Sequence, residues 1–97
     1  MEKRPVIYKF HSYREYLKQA LRYVAASQNA SMRSLARRSG VSHGYFPLIF
    51  SGQRNLVLKQ LPQISKTLKL NPNETVFLKN LVLLEDSRDR ELSLIHI

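Results

Sequence analysis

The chain contains no cysteine, and its acidic residues are few. Without cysteine, neither a disulfide framework nor a thiolate zinc site is possible. The three histidines, His11, His43 and His96, are far apart and lack the spacing of metal ligands. No Gly/Ser-rich or Pro-rich tract indicates disorder, and 97 residues are enough for one compact domain but too few for two. We therefore expect one globular domain without a bound metal.

Long apolar runs are also lacking, which excludes a membrane span. The start, MEKRPVIYKF, is charged but has neither the apolar core nor the small-residue cleavage site of a signal peptide. These absences predict a cytoplasmic location and no membrane partner.

The scarcity of acids argues against an enzyme. Glu15 and Glu74 are explained as helix-capping residues, and the other acids, apart from Glu2, cluster in EDSRDRE near the C-terminus. Such a cluster is typical of a solvated helix end. No nucleophile has a base nearby, and the glycines do not form a phosphate-binding loop. We expect no catalytic residue and no cofactor.

Charge of one sign dominates the middle of the chain. Sixteen Lys and Arg face seven Asp and Glu, a net charge of +9, and no acid occurs between Tyr16 and Asn73. The basic residues of that stretch are Lys18, Arg22, Arg33, Arg37, Arg38, Arg54, Lys59, Lys66 and Lys69. An ordinary solvated surface mixes both signs, so this distribution favours a polyanion as partner. Nucleic acid fits best; an anionic membrane or an acidic protein are the alternatives.

The apolar spacing predicts helices and no strand. Ser12 and Glu15 form a capping box that starts a first helix, which ends near Ser27. Ser31 caps a second helix through Arg38, ended by a left-handed Gly40. A fourth covers about residues 58–68 with Leu58 inward and Pro62 in its first turn. A fifth covers about residues 72–86, started by a cap at Asn71, Pro72 at its first position and Glu74 at its third.

The third predicted helix contains two residues that disfavour helices. Ser42 caps it, it runs to about Phe50, and Ser51 with Gly52 ends it. Pro47 is then its fifth residue, so its missing amide removes one hydrogen bond and predicts a kink or a tightened turn. Gly44 costs up to about 1 kcal/mol within a helix, yet lets the backbone approach a partner closely. If this helix contacts nucleic acid, Gly44 and Pro47 leave it few side chains that can hydrogen-bond to bases.

The second and third helices together resemble a helix-turn-helix at about residues 32–50. Ala36 is the small residue where two helices cross, Gly40 makes the turn, and Phe46 and Ile49 anchor the third helix. The fold class that follows is all-α, a five-helix lambda-repressor-like DNA-binding domain. The predicted core consists of Tyr13, Leu17, Leu21, Leu35, Ala36, Val41, Phe46, Ile49, Leu61, Ile64 and Phe77.

Three stretches extend this resemblance: YREYL, SLARRSGVSHGYFPLIFSGQRNL and LKLNPNETVFLKNLV. They are similar to a poorly characterised family of bacterial proteins, which joins an N-terminal lambda-repressor-like helix-turn-helix to a larger domain of unknown function. SGQRNL resembles the family's Ser-Gly-Lys-Arg-Asn-Leu. The resemblance to this family implies a role in transcriptional regulation. The family itself has no established ligand or operator. The family usually has a polar residue where Pro47 stands.

Helix-turn-helix proteins place the second helix on the DNA backbone and the N-terminal end of the third in the major groove. Arg33, Arg37 and Arg38 would then contact phosphates of double-stranded DNA, and Ser42, His43 and Gly44 would lie nearest the bases. Gln53, Arg54 and Asn55 form the following loop, with Arg54 directed either to a guanine edge or to a phosphate. Alternatively, the motif is a protein-interaction module in which Tyr45, Phe46 and Phe50 meet a partner.

The fifth helix is apolar on most of its circumference, which predicts cover on two sides. That cover comes either from a missing C-terminal region or from a homodimer contact, and we expect an exposed apolar patch on the present chain. The last six residues, LSLIHI, resemble a translated sequencing adapter, so residues 92–97 are expected to be non-native and poorly packed; the alternative is a genuine apolar tail. The predicted organisation is an N-terminal arm (residues 1–9), a helix-turn-helix domain (residues 10–86) and a truncated end (residues 87–97).

Overall fold

The computed structural model describes the backbone of residues 4–95 and the side chains of residues 4–85. Its five α-helices are α1 (Tyr13–Gln28), α2 (Met32–Arg38), α3 (Tyr45–Ser51), α4 (Leu61–Leu68) and α5 (Pro72–Ile95). Single turns of 3-10 helix occupy Ile7–Lys9 and Leu58–Gln60. No strand occurs in the part of the chain that the structure describes. The predicted all-α, five-helix fold is confirmed, whereas the expected poor packing of residues 92–97 lies outside the described side chains.

The capping hydrogen bonds predicted at the starts of α2 and α5 are present in the structure. Ser31 Oγ accepts a hydrogen bond from the Ser34 amide at 3.0 Å. At α5, Asn71 Oδ1 accepts from the Glu74 amide at 2.8 Å, and Glu74 Oε1 accepts from the Asn71 amide at 3.0 Å. These bonds satisfy amides that have no partner within the helix, so both helices are started by the residues that precede them.

The capping box expected at the start of α1 is wrong. Ser12 does stand at the N-cap position, but its side chain accepts no bond from the helix. Its hydroxyl instead donates to Glu85 Oε1 on α5 at 3.1 Å, and Glu15 accepts from Gln19. A serine hydroxyl can donate and accept at once, so the bond to Glu85 does not use up its acceptor capacity; it orients the side chain, and in that orientation Oγ accepts no helix amide.

Two helix boundaries also differ from expectation. The helix predicted from Leu58 begins as a 3-10 turn, in which the Leu61 amide bonds the Leu58 carbonyl. Pro62 has no amide to offer that carbonyl in an α-helix, and Leu58 is exposed rather than inward. At the other end, α5 continues past Asp86 to Ile95. The added residues contain neither Gly nor Pro, so nothing in them interrupts the helix.

The core surrounds α1, which contacts each of the other four α-helices. Every predicted core residue is buried except Val41 and Phe77, which are partly buried against the core. The core also takes in Ile7, Tyr16, Ala20, Val24, Tyr45, Leu56, Leu68, Leu78 and Val82. Ile7, which lies in the segment predicted as an N-terminal arm, is buried in this core.

Candidate nucleic-acid interface

The turn between α2 and α3 has a well-defined geometry. Gly40 adopts the left-handed region with φ +75°. Its amide donates to the Arg37 carbonyl at 3.1 Å, and the Val41 amide donates to the Ala36 carbonyl at 3.0 Å. This pair of bonds is a Schellman motif, which satisfies the last carbonyls of a helix and suits glycine at the left-handed position. The expected role of Gly40 is confirmed.

The start of α3 corrects the expectation based on Ser42. The helix begins at Tyr45, whose amide donates to the Ser42 carbonyl at 3.1 Å, and Gly44 takes the N-cap position without a side-chain cap. Pro47 is therefore the third residue of α3 rather than the fifth. The first-turn amides of a helix have no partner within it, so Pro47 forfeits no hydrogen bond. Both helix-disfavouring residues lie where they cost little.

Replacing Pro47 by Ala tests these bounds. We expect the free energy of unfolding to fall by no more than about 1 kcal/mol, because alanine mainly gives the unfolded chain more freedom. A proline in a helix interior costs about 3 kcal/mol or more, so its removal there would stabilise by that amount. Urea denaturation followed by circular dichroism measures the difference. A stabilisation of about 3 kcal/mol would show that α3 starts at or before His43, with Pro47 in its interior.

Three aromatic residues hold α3 in place. Tyr45 and Phe46 are 5% and 1% exposed, and the rings of Phe46 and Phe50 stack with centroids 6.2 Å apart. Tyr45 Oη accepts from the Val57 amide at 3.4 Å. The alternative in which Tyr45, Phe46 and Phe50 meet a partner therefore loses two of its three residues to the core.

Two arginines of α2 meet the turn before α3. Arg33 and Arg37 are exposed and one helical turn apart, and they line a shallow depression with Val41 and His43. Ser42 and Gly44 flank His43 and are exposed as well. We call Arg33, Arg37, Ser42, His43 and Gly44 the α2–α3 surface. This surface carries no acidic residue. The charges of Arg33 and Arg37 beside the N-terminal end of α3 are therefore not neutralised by a neighbouring carboxylate.

Arg38 lies elsewhere. Its Nη1 donates to Gln28 Oε1 at 2.5 Å, and it lines a second depression beside Lys66 and Lys69 of the α4 end. A residue one position along a helix points about 100° away, which separates Arg38 from Arg37. The structure thus brings Arg33, Arg37 and His43 together but not Arg38.

The loop after α3 is tightly bonded. Gly52 ends the helix with φ +85°, and the amides of Gln53 and Arg54 both donate to the Leu48 carbonyl, at 3.0 and 3.2 Å. The Leu56 amide donates to Tyr13 Oη at 3.2 Å. The side chains of Gln53, Arg54 and Asn55 are exposed, so a fixed backbone presents three polar side chains to solvent.

Arg14 is the residue that sequence reasoning missed. Its Nη1 donates to the carbonyls of Ile49 and Arg54 at 2.7 and 2.6 Å, and its Nη2 donates to Asn55 Oδ1 at 2.5 Å. Its Nε donates to Glu85 Oε2 at 2.8 Å. The position of Arg14 within YREYL was the available signal, but the sequence did not show its partners. Because Asn55 Oδ1 is engaged, Asn55 has its amide NH₂ to offer a ligand.

No helix among the described residues has the length and apolar character needed to cross a membrane. Nor does that part of the chain contain a group of three or more His, Asp or Glu placed to hold a metal ion.

The chain resembles a known protein in structure but matches none in sequence. No protein-family model and no curated protein matches the chain. A solved structure, that of the clp gene regulator ClgR from Corynebacterium glutamicum, is similar over 96% of this chain and 94% of that chain, with a TM-score of 0.48 and 21% sequence identity.

Proposed function

We propose that this chain is a DNA-binding domain of a transcriptional regulator, with its helix-turn-helix at α2 and α3. The observation that carries the proposal is the α2–α3 surface, where Arg33, Arg37 and His43 converge without an acid beside the start of α3. Unopposed cations at this point of the fold match the electrostatic needs of a duplex. The fixed loop at residues 53–55 adds further exposed polar side chains after the C-terminal end of α3.

Each residue has a distinct role in the proposal. Arg33 and Arg37 neutralise phosphates and so contribute affinity without sequence information. Ser42 and His43 lie nearest the base edges. Gly44 faces open space in the free chain, and its lack of a side chain lets the backbone approach a partner closely. Gln53 and Arg54 contact either phosphate or base from the loop, and Asn55 does so through its amide NH₂.

Arg38 is a weaker candidate than Arg37 for a contact with the DNA duplex. Both are exposed arginines on the same helix, but Arg38 is bonded to Gln28 and shares its depression with lysines rather than with His43. We therefore assign Arg37 to the duplex contact and expect a smaller effect from Arg38. The two residues form a matched pair of identical chemistry.

The test is a salt titration of duplex binding by fluorescence anisotropy, using wild type, Arg37→Ala, Arg38→Ala and His43→Ala. Loss of one phosphate contact should flatten the log–log salt slope by about 0.9, and we expect this for Arg37→Ala. We expect less than half of that change for Arg38→Ala. His43→Ala should keep the slope and alter preference among sequences. Absence of wild-type binding at low salt would refute the proposal.

A homodimer is the second partner that we propose, through α5. Val76, Leu83 and Leu84 are 56%, 43% and 48% exposed, although each is apolar. Their spacing puts them on one side of the helix, and Phe77 beside them is only partly covered, by the ring of Tyr8 at 4.9 Å. An exposed apolar stripe of this kind is typical of a protein contact, and two copies would present two α2–α3 surfaces to one duplex.

A further inference from the structure

The Arg14 guanidinium joins three parts of the fold that are distant in sequence. Arg14 lies in the first turn of α1, and it bonds the last turn of α3 through the Ile49 carbonyl. It also bonds the loop through Arg54 and Asn55, and α5 through Glu85. Its side chain is 16% exposed and that of Glu85 is 23% exposed. A mostly buried ion pair is screened little by salt.

The geometry requires arginine in particular. Guanidinium is planar and offers five donors in a fixed fork, whereas a lysine ammonium is a compact point charge. Here Nε faces Glu85, while both terminal nitrogens face the loop and the end of α3. One side chain therefore fixes the position of the Arg54 backbone relative to α3. Its partner carboxylate in turn accepts from Ser12, which ties it to the start of α1.

We propose that Arg14 is a positioning residue of the DNA interface: it holds the loop at residues 53–55 in register with α3, and Glu85 makes that hold depend on α5. This inference rests on the proposed function, since the loop is taken as part of the duplex contact. Arg14 itself would not touch DNA. Its consequence is that a change at Glu85 on α5 alters DNA binding by the loop, because the Arg14 side chain joins the two.

The distinguishing experiment is a double-mutant cycle between Arg14→Lys and Arg54→Ala, measured as the Kd for a DNA duplex. Arg14→Lys keeps the charge but loses the fork, and we expect about tenfold weaker binding. In that background Arg54→Ala should cost less than about twofold, because the loop is already displaced. Glu85→Gln, which keeps an acceptor without the charge, should weaken binding by about threefold. Arg22→Lys is the matched control: it is an exposed arginine on α1, and we expect no change.

A second readout needs no DNA. Amide hydrogen exchange should accelerate at Gln53, Arg54 and Leu56 in Arg14→Lys, while amides in the middle of α1 keep their wild-type protection. A merely global loss of stability would accelerate both sets. Additive effects in the cycle, or unchanged exchange in the loop, would overturn the inference while leaving the proposed function standing. Absence of wild-type binding at low salt would overturn the proposed function and the DNA part of the inference with it; loop exchange would then still decide whether Arg14 holds the loop.

Discussion

Replacing Phe46 by Ala is expected to remove a large share of the stability of the domain, lowering the free energy of unfolding by about 3–5 kcal/mol. Phe46, the second residue of α3, is 1% exposed, and its ring contacts Tyr45 and Phe50. α3 has only seven residues, too few to be stable without packing. A domain of this size has a total stability of roughly 5–15 kcal/mol, so the loss is a large share of it.

Urea denaturation followed by circular dichroism measures this loss, with Phe50→Ala as the matched control. Phe50 has the same side chain on the same helix but is only partly buried, so its removal leaves a smaller cavity and should cost about half as much or less. Equal losses for the two variants, or a loss below about 1 kcal/mol for Phe46→Ala, would contradict the packing of α3 described above.

Reversing the charge at Arg33 and Arg37 together is expected to weaken duplex binding by about 10²- to 10³-fold near 0.1 M salt. Each phosphate contact contributes about 0.9 to the logarithm of the affinity at that salt concentration, so two lost contacts account for about 10²-fold. The two glutamates then add repulsion at the α2–α3 surface. The measurement is the Kd of Arg33→Glu with Arg37→Glu, by fluorescence anisotropy.

Lys9→Glu with Lys79→Glu is the control for net charge. Both lysines are exposed, and they lie in the N-terminal 3-10 turn and in α5, so the change in charge is the same but the location differs. We expect less than about a tenfold effect, through the long-range field alone. If both double variants lost affinity equally, net charge and not the α2–α3 surface would account for binding.

The helix starts and ends show how much of the fold is local in the sequence. Ser31, Gly40 and Asn71 act as predicted because their bonds join residues at most a few positions apart. Ser12 carries the same local signal as Ser31, yet its hydroxyl bonds Glu85, 73 positions away. The sequence does not show which capping signal will fail, because a long-range partner such as Glu85 comes close to the capping residue only when the chain has folded.

The start of α3 was predicted incorrectly for a different reason. Ser42 is a favourable cap, so Pro47 had to be an interior residue with a missing bond. Moving the start to Tyr45 leaves the cap unused but puts Pro47 into the first turn, where it costs nothing. The backbone constraint is worth about 3 kcal/mol and the cap about 1 kcal/mol. Comparing these magnitudes would have predicted the observed bounds.

The candidate interface was predictable as a set of residue types but not as an arrangement. Arg33 and Arg37 are one helical turn apart in any α-helix, so their shared face follows from the sequence. The 100° step that separates Arg38 from Arg37 follows from the helix as well, but the surroundings of Arg38, with Gln28, Lys66 and Lys69, depend on packing that the sequence leaves open. Likewise, YREYL and SGQRNL were separate motifs until the structure showed that Arg14 of the first bonds Arg54 and Asn55 of the second. This contact gives the residues of the two motifs a common structural role, which is to hold the loop against α1.

The central claim is that DNA binds the α2–α3 surface, and amide chemical-shift mapping during titration with a duplex tests it most directly. We expect the largest shifts at Arg33, Arg37 and His43, with further shifts in residues 53–55, all reversed by raising the salt. Arg22, an exposed residue on α1 outside both proposed contacts, should show none on addition of DNA. Larger shifts at Arg22 than at the α2–α3 surface, or no shifts at low salt, would contradict the account.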